Sequence, residues 1–274
     1  AEDLMHDHYR APSQARLDAA MAKAGRVEAL QIKIAAPPSS REQVRRLFEG
    51  MDNVEAMRSS IGEADIKAIA GLDVPYDIPN LTVDHHSAFV GVPTGNWRSN
   101  AHSSNVFYLE SFIDELAAKA GIEPLSFRMQ MLNNQPRLAR CLTGVAAMAD
   151  WDGGLDSSGL EVRRISATVD IGRIIHPDIA RQQIEGGIVF GLAMALGSAT
   201  RFQNGLPTVK RLRDLSLPRL AEIPPIQIEF VRSEEEPVGY EELGVPAVAP
   251  AVANALFSAT GVRLRQLPLF GEIS

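Results

Sequence analysis

The chain has 274 residues, of which 45% are hydrophobic and 22% charged, and this length and composition fit one large globular domain or two ordinary ones. Its formal net charge of −7 argues against a general nucleic-acid binder, whose footprint would be basic. Cys141 is the single cysteine, which excludes an internal disulfide or a Cys-rich metal site, and no run of about 18 apolar residues offers a membrane span.

Ala1-Glu2-Asp3-Leu4-Met5-His6 lacks the basic and apolar regions of a signal peptide and reads as the interior of a longer chain. The compartment, cytoplasmic or periplasmic, is therefore left unassigned. Asp7-His8-Tyr9-Arg10-Ala11-Pro12 is polar and loop-like. His6 and His8 have no third ligand nearby and read as surface or packed histidines rather than a metal site. Residues 15–21 and 27–34 flank Lys23-Ala24-Gly25-Arg26 and predict a β-hairpin turning at Gly25. Pro37-Pro38-Ser39-Ser40 is a break, and Ser40 with Gln43 suggests a capping box for a helix over Glu42–Glu49. Residues 50–75 are polar and irregular, with room for one short helix. Leu81–Val90 reads as a strand, in which His85 and His86 face opposite sides and cannot easily share one ion.

Gly91–Asn105 is a long polar loop containing Trp97, Arg98 and Ser99. Apolar residues then recur at helical spacing from Val106 to Ala120, and Gly121 stops the helix. Its N-terminal amides, with Arg98 and the Ser and Asn side chains, make either an anion or polar-ligand site or a capped helix beneath a surface loop. Further helices are expected from Pro124 to Leu132 and from Pro136 to Asp150, the second holding Cys141 as a core thiol. Residues 152–159 have linker composition, dividing the chain into 1–151 and 160–274. Leu160–Asp170 alternates as a strand, and a helix follows over Asp178–Leu196. Gly186 and Gly187 inside it each cost about 1 kcal/mol relative to alanine. Such a cost implies close approach of backbone or ligand, or tight helix packing. Asn204-Gly205 marks a hairpin, Ile226–Val231 a strand, and Val262–Leu267 a short closing strand.

Glu241 and Glu242 lie in a turn between Gly239 and Gly244. An apolar segment follows from near Ala249-Pro250, where proline suits a first helical turn, and Gly261 is a C-cap. A carboxylate on a loop backed by a packed helix is placed like a general base. The pattern alone favours a solvated acidic loop.

Three blocks go further. They are Val92–Ser99 with Asn105–Glu123; Val169–Arg173 with His176–Asp178 and Gln183–Leu192; and Glu242–Pro246 with Ala249–Ala255. With Glu2–Pro12, they resemble, in order, the large (beta) subunit of isoquinoline 1-oxidoreductase-type enzymes in the xanthine dehydrogenase and aldehyde oxidase superfamily. The resemblance implies an α+β molybdenum cofactor-binding domain with mixed sheets and packed helices. It implies a molybdenum–molybdopterin cytosine dinucleotide cofactor and hydroxylation of an N-heteroaromatic compound or oxidation of an aldehyde. Electrons would leave through a small subunit carrying 2Fe–2S clusters. Carried over residue by residue, Glu242 is the base. Gln183 matches the glutamine that bonds the pterin, beside Gly186 and Gly187, while Trp97, Arg98 and Ser99 match the pocket loop; no protein ligand to the metal is implied. The expected glycine-rich blocks before Ala1 and between Trp151 and Leu160 are missing or reduced. Ser104, Glu241 and Leu243 depart from the expected glutamine, glycine and proline. The competing expectation is a truncated, non-catalytic domain that does not retain the cofactor.

Overall fold

A computed structural model describes residues 7–150, 162–239 and 242–270. Strand β2 (Gln14–Met21) turns antiparallel into β3 (Val27–Ala36), with Gly25 at φ +83° in the turn. β3 pairs in parallel with β4 (Asn80–Ser87), so the hairpin strand becomes the centre of a three-stranded sheet. Val27, Leu30, Ile32 and Ile34 of β3 are buried. Helix α3 (His102–Ala120) covers them through Leu109, Ile113, Leu116 and Ala117. It ends where Gly121 takes φ +68°, a left-handed position that glycine adopts without a Cβ penalty.

The capping box expected at Ser40 and Gln43 does not form. Helix α1 (Ser39–Phe48) starts after Pro38 without a side-chain cap. Ser40 instead gives its N–H and its hydroxyl to Asp65, at 2.9 and 2.5 Å. Residues 50–75 hold helix α2 (Asn53–Ser59), capped by Asp52 and Glu55, and a 3-10 turn over Ile66–Ile69. In β4, His85 Nδ1 accepts from the Asp65 N–H at 3.1 Å, and its Nε2 lies 3.0 Å from the Ala36 carbonyl, so both ring nitrogens are engaged.

Helices α4 (Pro124–Met129) and α5 (Pro136–Met148) follow, then β6 (Ile165–Val169) and helix α6 (Pro177–Leu196). No residue of α5 is fully buried, and Cys141 is only half-buried, so the core-thiol expectation is corrected. The small hairpin of β7 (Phe202–Gln203) and β8 (Leu206–Pro207) turns at Asn204 and Gly205, both at positive φ as the Asn-Gly pair predicts. Strand β9 (Ile226–Phe230) pairs in parallel with β6, and helix α7 (Val245–Thr260) ends at Gly261, φ +71°.

Ile184, Ile188 and Leu192 of α6 pack with Ile228 and Val248 in one core. Phe107 of α3 packs with Ala195, Ala249, Ala253 and Leu269 in another. The expected linker over 152–159 lies outside the described residues. Chain from before it packs directly on chain from after it.

Helix α7 begins earlier than expected. Pro246 occupies its first turn, and Pro250 lies inside the helix and buried. Proline has no N–H to give there. The closing strand over Val262–Leu267 is also absent. Arg263 reaches Asp114 at 2.8 Å and Asn254 at 2.7 Å, and Arg265 forks onto Glu115 at 3.0 and 2.9 Å. Its alternating pattern comes from two arginines facing acids of α3, with no strand alongside. Arg128 adds a bond to Glu110 at 3.0 Å, which also accepts from the buried Tyr76 hydroxyl at 2.9 Å.

Asp170 follows β6 and ties α5 to it. Arg137 donates to its carboxylate at 2.8 and 2.6 Å, and the Gly172 N–H at 3.1 Å. The Arg137 bonds, opposed by burial and helped by Gly172, hold the Asp170 pKa down to about 2 from an ordinary 3.8. A depressed carboxylate pKa stabilises the fold above the unfolded pKa, and that gain is lost as pH falls through the folded one. Arg137 is 38% exposed, so screening limits the gain to about 1 kcal/mol. Asp170→Asn should lower the thermal midpoint by about 2–4 °C at pH 7. Its difference from the parent protein should shrink between about pH 4 and pH 2. A pH-independent difference in thermal unfolding would count against this account.

Candidate active site

Strand β1 (Tyr9–Arg10) runs parallel to β5 (Thr94–Gly95), and the chain leaves β5 directly into Asn96-Trp97-Arg98-Ser99-Asn100. Buried contacts fix this departure. Thr94 Oγ1 donates to the buried Glu42 carboxylate at 3.0 Å, and Arg46 donates to the Thr94 carbonyl at 2.7 Å. Asn100 Oδ1 accepts from the Trp97 N–H at 3.0 Å, and the Asn100 N–H returns to the Trp97 carbonyl at 2.7 Å. This closes a tight turn with Ser99 at φ +70° and Asn100 at φ +38°, consecutive non-glycine residues in left-handed backbone. The Trp97 indole is 41% exposed and donates to the His8 carbonyl at 2.9 Å.

Glu242 meets this turn from far along the chain. The Ser99 N–H donates to Glu242 Oε1 at 3.0 Å, and Glu242 Oε2 faces His102 Nδ1 at 3.7 Å. The Glu242 side chain is 41% exposed, so its carboxylate is both held and reachable. Ser99 Oγ and His102 Nδ1 are buried without a hydrogen-bond partner among the described residues. The anion that meets the turn before α3 is the chain's own carboxylate, and the amide that holds it is that of Ser99, ahead of the helix start at His102. Neighbouring Glu241 lies outside the described residues.

Glycines place Glu242 there. A Cβ on Gly187 would stand 2.4 Å from the Leu243 carbonyl oxygen, one on Gly191 2.7 Å from that of Val245, and one on Gly244 2.7 Å from that of Ile184. Gly244 also needs its φ of +89°. These contacts press the start of α7 against α6. The cost of Gly187 inside α6 is thus met by close approach of protein backbone. Gly186 differs: it is exposed, and a Cβ there would meet only the Arg98 guanidinium, at 3.8 Å. Arg98 Nη2 donates to the Gln183 carbonyl at 3.0 Å. From the other side, Gly172 packs on Glu235 and Glu236, with Arg173 N–H to Glu235 O at 2.9 Å and Val238 N–H to Ile171 O at 3.1 Å.

Arg98, Ser99, Gln183, Gly186, Gly187 and Glu242 therefore lie together, while the Trp97 side chain turns to the His8 carbonyl and Arg10. Concavities of about 490 and 280 Å³ lie instead beside Asp77 and Asn134, and beside Lys23 and Lys119; none of the seven predicted site residues lines either. Sequence reasoning missed Arg10 and His102. Arg10 lies in a quoted block, but its contacts are some 88–93 residues away. Two substitutions separate the roles of the adjacent glycines. Gly187→Ala should destabilise by about 1–3 kcal/mol through overpacking against Leu243. Gly186→Ala should be neutral or stabilising by up to about 1 kcal/mol. Denaturant unfolding checks this, and equal effects would refute the distinction.

Residues 142–224 match the molybdopterin cofactor-binding domain family. The chain is 28% identical over 300 residues to isoquinoline 1-oxidoreductase subunit beta of Brevundimonas diminuta, covering 98% of this chain and 37% of that protein. It is also 28% identical over 320 residues to a membrane-bound pyrroloquinoline-quinone aldehyde dehydrogenase of Gluconacetobacter polyoxogenes, covering 98% and 40%. The chain thus spans less than half the length of these relatives. Its fold resembles quinoline 2-oxidoreductase from Pseudomonas putida 86, with TM-score 0.76 and 11% identity over 96% of this chain and 62% of that one. The aldehyde oxidoreductase of Desulfovibrio desulfuricans gives 0.69 and 13% over 96% and 48%. Across nearly its whole length the chain is thus similar to the isoquinoline 1-oxidoreductase beta subunit, and its residues 142–224 match the molybdopterin cofactor-binding domain.

Proposed function

We propose that this chain is the base-carrying part of a molybdenum hydroxylase large subunit that hydroxylates an N-heteroaromatic compound or oxidises an aldehyde. The observation that carries the proposal is the bond from the Ser99 N–H to Glu242 Oε1 beside the Arg98–Gln183 contact, which draws three separate sequence blocks onto one carboxylate. The names of the quinoline, isoquinoline and aldehyde relatives support the substrate class.

The surface here suits a large polar cofactor. Gly186 leaves an open ledge beside the Arg98 guanidinium, and polar atoms of Ser99 and His102 lie buried next to Glu242 without hydrogen bonds. Gln183, Gly186 and the Trp97–Ser99 loop would hold the cofactor. When bound, a molybdenum–molybdopterin cytosine dinucleotide supplies the two-electron oxidation of the substrate carbon. Ser99 fixes Oε1 of Glu242 and leaves Oε2 to take the proton released in the reaction. Trp97, exposed at the loop tip, offers a flat apolar face to an aromatic ring. The subunit naming of the isoquinoline relative supports a multi-subunit assembly, and a small iron–sulfur subunit with 2Fe–2S clusters is the electron acceptor in this proposal.

A second reading is a domain of the same fold without cofactor. It is favoured by the bond that ties the Arg98 guanidinium to the Gln183 main-chain carbonyl instead of to a ligand. Molybdenum analysis of protein expressed with cofactor supply separates the two readings: stoichiometric metal supports the first, and none supports the second. In loaded enzyme, Glu242→Gln should retain molybdenum while lowering kcat by about 10²–10⁴-fold, the range for loss of a general base. An unchanged kcat would remove Glu242 from that role.

A further inference from the structure

We propose that Arg10 is a positioning residue that clamps the turn on both sides of Ser99 and so aims the Ser99 N–H at Glu242. Arg10 Nη2 donates to the Arg98 carbonyl and Nη1 to the Asn100 carbonyl, both at 2.9 Å. These are the two carbonyls flanking Ser99 in sequence. Nη1 also lies 3.4 Å from Ser103 Oγ, in the first turn of α3, and the guanidinium carbon stands 5.9 Å from the Trp97 ring centroid. One planar group thus spans the turn from Trp97 to the helix start.

The turn needs such a clamp. Ser99 and Asn100 both hold left-handed backbone, which costs on the order of 1 kcal/mol or more per non-glycine residue unless the surroundings impose it. Ser99 is fully buried, and its N–H is the donor that meets Glu242. A peptide free to rotate would lose that aim.

The choice of arginine has a physical reason. Among the described residues no carboxylate lies within 4.0 Å of Arg10, so its charge is answered by carbonyl dipoles and, at longer range, by Glu242. Burial lowers its pKa to about 10, against the pull of Glu242, and leaves it protonated near neutral pH. A buried cation without a contacting anion is costly. The forked guanidinium recovers that cost by bonding two carbonyls at once, which a lysine ammonium cannot do in the same plane. The β1–β5 pairing, with Arg10 opposite Gly95, delivers the side chain to the turn.

The importance of this clamp to catalysis rests on the reading of Glu242 as the base, but its test does not. Amide hydrogen exchange is measured at Ser99, with the Ile113 amide in α3 as an internal reference, for the parent protein, Arg10→Lys and Arg10→Met. Loss of the clamp should speed Ser99 exchange roughly tenfold in Arg10→Met and less in Arg10→Lys, with Ile113 unchanged. Unchanged Ser99 exchange in either folded variant, or equal acceleration at Ile113, would overturn the proposal. If Arg10→Met does not fold, Arg10→Lys decides alone by the same criterion. In molybdenum-loaded enzyme, kcat should fall in the same order with KM retained. Faster Ser99 exchange with kcat unchanged would leave the clamp standing and count against Glu242 as the base.

Discussion

Where α6 and the start of α7 meet, main chain touches main chain. At Gly187, Gly191 and Gly244 no Cβ holds the two segments apart, and carbonyls of Leu243, Val245 and Ile184 occupy the space one would need. Such contacts allow almost no sliding, because interiors are close-packed and repulsion rises steeply. Glu242 is two residues before Gly244, so its backbone position follows from this contact. The Ser99 amide, the exposed Gly186 and the Arg98–Gln183 bond all take their distances to Glu242 from it.

The acid at the centre is held without being sealed. Its carboxylate has one committed oxygen and one facing His102, with close to half of the side chain in solvent. Holding is done by groups that are themselves buried: Thr94, Glu42 and Arg46 behind the loop, and Arg10 beneath the turn. A rigid support under an accessible carboxylate suits a group that must meet a reactant at fixed distance.

Much of the local structure was legible in the sequence. The hairpin at Gly25, α3 with its stop at Gly121, and the Asn204-Gly205 turn follow from spacing and turn chemistry that act within a few residues. What failed depended on distant partners. Ser40 turned to Asp65 instead of capping its own helix. Val262–Leu267 alternates because Arg263 and Arg265 face acids of α3, which a pattern cannot distinguish from a strand. The proximity of the Trp97–Ser99 loop, Gln183 and Glu242 came from family blocks; neither periodicity nor composition contains it. Arg10 was unreadable because its significance lies in two carbonyls that no side chain announces.

The spacing along the chain of the groups that meet at Glu242 has a consequence for how the molecule folds. Ser99 and Glu242 are 143 positions apart, and Arg265 and Glu115 are 150 apart. Closing such loops costs chain entropy before any contact returns it, and folds rich in remote pairings form slowly. The sheet around β3 relies on nearer segments and can consolidate early. The acid's seat requires α6, α7 and the turn together, so its assembly waits on some of the longest loop closures in the chain rather than on local structure.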